Sequence, residues 1–269
     1  MARGPALMRP PAPVQLEIAG IRAAFVFSEP RFGALVARRY KNFFSPGKPL
    51  YVFSVSAAAG RRIPFRPVIL EEGGVLRLKR GDFDCVLNLK TGLGRLKAAQ
   101  RVQTFDSFLR TFYSWLLPRR SGLLVHGAAF AKGGSVRLFP GRSGAGKSTL
   151  SRLAARKHFL LSDELVPVRR ESGKFYAYGS PFWGEMRCEG KNTRFSLRGV
   201  YKLSKAAANS LRSISGGVML RLLLRCSMNF AKDAGTAALM LALAAELAAE
   251  KTAGELRFSK DNRAFLDLL

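Results

Sequence analysis

A chain of 269 residues with 48% hydrophobic and 23% charged residues can bury a sizeable core and has the balance of a soluble globular protein. Three cysteines, Cys85, Cys188 and Cys226, lie far apart and there are two histidines, which argues against a disulfide framework or a structural zinc site and fits a reducing cytoplasm. The 45 Lys and Arg against 18 Asp and Glu leave a net charge of +27; the field suits an acidic partner, and with no basic strand interleaved with aromatics a nucleic acid is not expected.

Residues 1–13 are rich in proline and carry Arg3 and Arg9 without an apolar stretch, so they read as a disordered leader and not as a secretory signal. Residues 14–100 read as a strand-rich N-terminal region. Val14–Ile18 and Val75–Lys79 alternate apolar and polar side chains, and Gly81-Asp82 makes a turn into a paired strand at Phe83–Leu87. Phe105–Leu117 carries Phe105, Phe108, Leu109, Phe112, Trp115 and Leu116 at helical spacing, an aromatic core face at the start of a second region spanning 101–269.

Within that region Leu123–Gly127 reads as a strand, a Lys132-Gly133-Gly134 turn returns it as Val136–Phe139, and a helix spans Lys147–Lys157. A short strand Phe159–Leu161 leads to Asp163-Glu164. A hairpin follows around Glu171-Ser172-Gly173, then a strand at Phe195–Leu203. Val218–Phe230 and Ala237–Ala249 read as helices, and Glu255–Phe258 as a closing strand. The apolar run Thr236–Leu247 is shorter than the roughly 20 residues a spanning helix needs, and Arg221 and Arg225 break the one before it, so no membrane span is expected.

The chemistry concentrates in Gly141-Arg142-Ser143-Gly144-Ala145-Gly146-Lys147-Ser148, which matches G-x-x-x-x-G-K-[ST] without a gap. Glycines let successive backbone N–H groups turn inward onto phosphate oxygens, and the following helix adds the positive end of its dipole. Gly141, Ser143, Gly144, Ala145, Gly146, Lys147, Ser148 and Thr149 are the expected nucleotide-binding set. Lys147 would reach the β- and γ-phosphates and Ser148 would offer its hydroxyl to Mg²⁺. Asp163 lies 163 − 147 = 16 residues beyond the lysine, which allows one helix and one return strand and brings a carboxylate to the same sheet edge. It can hold Mg²⁺ or take a proton from an attacking hydroxyl. Glu164 can share the metal role, although neighbours on a strand face opposite sides, which favours Asp163.

Leu124-Val125-His126-Gly127, the Gly141–Ser148 loop and Leu160-Leu161-Ser162-Asp163-Glu164 together resemble the catalytic core of HPr kinase/phosphorylase and its shorter relatives. The resemblance implies an α/β P-loop phosphotransferase domain with a mixed sheet, similar to the nucleotide-binding half of phosphoenolpyruvate carboxykinase. It implies ATP and Mg²⁺ as cofactors, Asp163 as acid–base residue and His126 beside the transferred phosphoryl group. His158, before an apolar strand, reads as structural. The acidic pair is Asp-Glu where the family has Asp-Asp, and the later glycine-rich signature is reduced to Leu197-Arg198-Gly199-Val200. Both departures point away from phosphorylase activity and from HPr as acceptor, toward a hydroxyl on another protein, a peptide or a small molecule.

Gly179–Glu185 is the expected acceptor-side loop, with Trp183 and Glu185 as contacts and Arg187 and Arg198 as clamps for phosphoryl charge. Two other readings remain open. A small-metabolite kinase of the shikimate or gluconate type shares the loop-to-aspartate spacing but begins at its loop, whereas about 140 residues precede it here. A non-catalytic ATP-binding sensor or scaffold would bind nucleotide without turnover.

Overall fold

The computed structural model describes residues 12–58, 66–260 and 263–269. The expected leader falls outside them apart from residues 12 and 13. The protein is mixed α/β, with two mixed sheets and, among the described residues, five α-helices. No helix among these residues is long and apolar enough to cross a membrane.

The first sheet is built from β1 (Val14–Ile18), β2 (Ile21–Phe27), β3 (Tyr51–Ala57), β4 (Val68–Glu72), β5 (Val75–Arg80), β6 (Phe83–Asn88) and β7 (Leu93–Ala98). Its order is β1-β2-β3-β7-β6-β5-β4. Neighbours pair antiparallel except β2–β3 and β3–β7, which are parallel. Alternation sends Leu76 and Leu78 of β5, and Phe83, Cys85 and Leu87 of β6, to one buried face, as the period of a half-covered strand requires.

Helices α1 (Pro30–Arg39) and α2 (Val102–Leu116) cover that face. The region read from sequence as strands thus also holds α1, which opens on a proline at its first turn and buries Phe32, Gly33 and Val36. Proline there gives up no helical hydrogen bond. The aromatic side of α2 is buried as its periodicity predicts: Phe105 meets Phe25 edge-on at 4.9 Å between ring centroids, and Phe108 meets Phe53 at 5.5 Å. Such pairs add about 0.5–1.5 kcal/mol each beyond the area they bury. Although α2 lies in the second sequence region, its packing surface is the first sheet.

The second sheet comprises β8 (Gly122–Lys132), β9 (Ser135–Pro140), β10 (Phe159–Ser162), β11 (Leu165–Glu171), β12 (Lys174–Tyr178), β13 (Arg194–Lys205), β14 (Ser210–Ser213) and β15 (Thr252–Phe258). Helix α3 (Lys147–Ala154) follows β9, and α4 (Gly216–Cys226) and α5 (Ala234–Glu250) lie between β14 and β15. Pairings run β8–β11–β12–β13–β9 and return to β8, so five strands close on themselves. The long strand β13 makes this possible by pairing antiparallel with β12 and parallel with β9, and it extends beyond them to pair parallel with β15.

One strand explains where a site can form. On one face of β8, Leu123, Val125, Ala129 and Ala131 enter the core beneath α4 and α5. On the other face, Leu124 joins the core of the first sheet while Ala128 and Phe130 join the cluster beneath α3. His126 occupies the position between them on that same face. It sits where two hydrophobic clusters meet, and the seam between them is where polar groups collect.

Candidate functional site

The loop Gly141–Gly146 joins the end of β9 to α3, the strand–loop–helix order expected from sequence. Its backbone turns on Gly146, whose φ of 97° favours glycine and whose missing Cβ would meet the Phe258 ring at 3.3 Å. Lys147, 7% exposed, opens α3 and donates from Nζ to the carbonyl of Arg142 at 3.1 Å. Burial, more than any neighbour, pushes its ammonium below the ordinary lysine value, while the Glu164 and Glu185 carboxylates oppose that shift. A buried cation held by a single carbonyl of its own loop is suited to an incoming anion.

Asp163 and Glu164 sit between β10 and β11, at a break in the strand where the pairing of β10 with β8 has already shifted register. Here the expectation of opposite faces does not hold: off the regular pleat, both carboxylates reach the same cleft. Asp163 is 4% exposed and its Oδ2 accepts from the backbone N–H of Met186 at 2.9 Å. Among the described residues its Oδ1 has no hydrogen bond. Glu164 Oε2 lies 3.5 Å from His126 Nε2, and its Oε1 lies 3.4 Å from Arg110 Nη1. The hydrogen bond from His126 holds the Glu164 carboxyl below its ordinary value against partial burial, with Arg110 and Lys147 assisting.

A cleft of about 420 Å³ brings together His126, Ser143, Gly144, Gly146, Lys147, Ser148, Thr149, Asp163, Glu164 and Glu185. Gly141 and Ala145 belong to the same loop but do not line it; Gly141 is buried where a Cβ would lie 2.9 Å from the Ala145 Cβ. Two further cations line the cleft, Arg152 and Lys205. Arg152 stands 152 − 148 = 4 residues after Ser148 on α3, one helical turn along the same side, a signal present in the sequence. Lys205 ends β13 and arrives through parallel pairing, for which no local pattern exists. A second cavity of about 580 Å³ shares Gly146, Thr149 and Lys205 with the cleft and adds Phe258, Ser259 and Lys260.

The Gly179–Glu185 segment lies directly over Asp163. A Cβ on Gly184 would stand 2.6 Å from Asp163 Oδ2, so only glycine allows this approach. The N-terminal half holds the segment. Arg39 of α1 donates to the Pro181 carbonyl and stacks its guanidinium 3.8 Å from the centre of the Trp183 ring. Arg110 of α2 donates to the Trp183 carbonyl at 3.0 Å and is anchored by Asp106 at 2.6 Å, which also accepts from the Tyr40 hydroxyl at 3.0 Å.

Trp183 therefore contacts Arg39 and does not line the cleft. Arg187 is exposed beyond it, in the left-handed region at φ 48°. Arg198 is exposed on β13, where its charge acts on Arg137 and Tyr201, away from the residues that line the cleft. His158 stacks on Phe130 at 5.4 Å, a packing position.

Among the described residues no three His, Cys, Asp or Glu side chains gather to hold a metal by themselves. Mg²⁺ does not ask for that; it takes one or two protein ligands and fills its octahedron with phosphate oxygens and water. Ser148 and Asp163, with Glu164 beside them, fit that requirement. No protein-family model matches the chain, and no curated protein matches it.

Proposed function

We propose that this protein is an ATP-dependent phosphotransferase of the HPr kinase-like type, transferring the γ-phosphoryl group to a hydroxyl of a protein, peptide or small molecule. The observation that carries the reading is a single cleft holding the Gly141–Ser148 loop, the Asp163 carboxylate and the His126–Glu164 pair. In this reading the second half of the chain is a P-loop domain working in the cytoplasm.

The backbone amides of the loop and the Lys147 ammonium hold the phosphates, and the cavity walled by Phe258 takes the nucleoside. Ser148 and Asp163 would hold Mg²⁺, which would supply positive charge to offset the charge building on the phosphates. The acceptor hydroxyl approaches the free Oδ1 of Asp163, which takes its proton as the oxygen bonds to the γ-phosphorus and the bond to the leaving ADP oxygen breaks. Glu164, kept ionised, fixes the His126 ring beside the transferred group. Arg152 and Lys205 stabilise charge spread over the γ-oxygens. Gly184 and the Met186 N–H keep Asp163 in place.

The test is incubation of the protein with γ-labelled ATP, Mg²⁺ and a cell lysate, with Lys147→Ala as control. A labelled protein, peptide or metabolite that disappears with the variant supports the reading and identifies the acceptor. ATP binding without any labelled product would replace the kinase with a nucleotide sensor.

A further inference from the structure

The first sheet is covered on one side only. Its other side carries two cross-strand rows fixed by the register. One row runs Arg77, Val86, Arg95, Ser54 and Val26 across β5, β6, β7, β3 and β2. The next runs Lys79, Asp84, Lys97 and Ser56 across β5, β6, β7 and β3. Adjacent strands stand about 4.8 Å apart, so Arg77 and Arg95 flank Val86 from either side, and Lys79 and Lys97 flank Asp84 in the same way.

All four cations are exposed, and none of them makes an ion pair among the described residues. Some arginines of this protein are matched, as Arg80 is to Asp82 at 2.7 Å and Arg170 to Glu246 at 2.9 Å, while others, Arg221 and Arg225 of α4 among them, make no ion pair among the described residues either; what sets this face apart is the two-row arrangement. Glu72 stands at the β4 margin of the same face and Glu17 is matched to Arg22, but within these two rows four cations meet a single carboxylate, Asp84. A groove of about 670 Å³ lies over them, with Arg77, Arg95 and Lys97 in its wall and Val86 and Val26 between. Beside it, Leu93 is 59% exposed and Leu70 51% exposed.

We propose that this sheet face is a docking surface for an acidic segment of a partner protein, one that carries carboxylates interleaved with apolar side chains. Carboxylates answer the unmatched guanidinium and ammonium groups. Apolar side chains answer the valines between them and the leucines at the margin. Nucleic acid would share the charge but lacks an exposed platform here: Phe25, Phe27, Tyr51, Phe53 and Phe83 of this sheet are all buried in the core, and although Phe27 borders the groove it is 4% exposed. The inference stands apart from phosphoryl transfer, since none of these residues lines the cleft.

The probe is a short fluorescent peptide in which Glu and Leu alternate, titrated by anisotropy against the full chain. The double variant Arg77→Glu/Arg95→Glu is compared with Arg221→Glu/Arg225→Glu, an equal charge change placed on α4, and melting curves establish that both are folded. We expect the sheet variant to lose about tenfold or more in affinity and the α4 variant to lose less than about threefold. Equal losses would reduce the effect to the general attraction of a +27 protein and overturn the proposal. So would failure of the unaltered protein to bind the peptide. Single-stranded RNA of the same charge losing affinity with the sheet variant, while the peptide does not, would reassign the face to nucleic acid.

Discussion

Arg110 joins groups that sequence keeps far apart: Asp106 on its own helix, Glu164 in the cleft and the carbonyl of Trp183 over Asp163. Removing it leaves Asp106 and Glu164 partly buried without their cation, at a cost of about 1–3 kcal/mol. Arg110→Ala is expected to lower stability in urea denaturation by that amount. On the proposed function it should also reduce phosphoryl transfer more than ATP affinity, because the Gly141–Ser148 loop, the proposed phosphate cradle, makes no hydrogen bond or ion pair with Arg110 among the described residues. A variant that changes affinity and turnover alike would place Arg110 outside the chemistry.

Glu164 offers a titration with a definite sign. Its folded value is lowered, so its contribution to stability is present above the ordinary carboxylate range and is lost as pH falls through the folded value. Glu164→Gln should therefore flatten the acid limb of the stability curve below about pH 4.5 while leaving its neutral limb parallel. Melting temperatures across that window measure the effect. An unchanged acid limb would mean that the pairing with His126 does not form.

Among elements, the Gly179–Glu185 segment is the one whose position matters most to Asp163. Gly184→Ala would push a methyl group against the carboxylate, and the segment has to move, at about 1–3 kcal/mol. We expect turnover to fall at least tenfold with ATP binding kept, measured by single-turnover transfer beside a nucleotide titration. Retained transfer would show that the segment gives way without disturbing Asp163.

Helices α2, α3, α4 and α5 and the β5–β6 hairpin announced themselves through local period and turn residues, as did the glycine loop through its spacing. The side of the cleft that depends on long-range pairing was invisible. Lys205 arrives by a parallel strand, and Arg39 and Arg110 reach the segment from the other half of the chain. The Asp163-Glu164 pair was legible as a site but not as two carboxylates on one side, because strand alternation fails at a break that periodicity does not mark. Helix α1 was missed because ten residues opening on Pro-Arg-Phe-Gly, set among strand patterns, give a weak helical signal. Trp183 was read as facing an acceptor, whereas the nearest cation, Arg39, takes its ring face.

Taken whole, the two halves share the work: the second supplies the groups of the cleft and the first holds the segment above it. Phe108 lies in the middle of that support, fully buried and in ring contact with Phe25, Phe53, Phe83, Phe105 and Phe112. Phe108→Ala should cost about 3–5 kcal/mol in equilibrium denaturation. It should also weaken phosphoryl transfer at temperatures well below its melting point, since α2 carries Arg110 as well. Normal transfer by the destabilised variant would separate the support of the first sheet from the chemistry of the second.

The closed circuit of five strands bears on how the molecule is made. Strands β8 and β9 are neighbours in sequence and can pair as soon as both exist, but the circuit is completed only when Ser196–Val200 meets Ser135–Leu138, the first partners being 196 − 135 = 61 positions apart. Contacts that far apart form late, because loop entropy is lost before they stabilise anything. The glycine loop hangs from the end of β9, whose hairpin with β8 can form early, so during synthesis the loop has one fixed end but lacks its β13 neighbour until that strand has been made, and Lys205 follows only at that strand's last residue. A nascent chain halted within β12 carries the whole glycine motif and the acidic pair yet has no finished cleft, which is completed only with the last third of the protein.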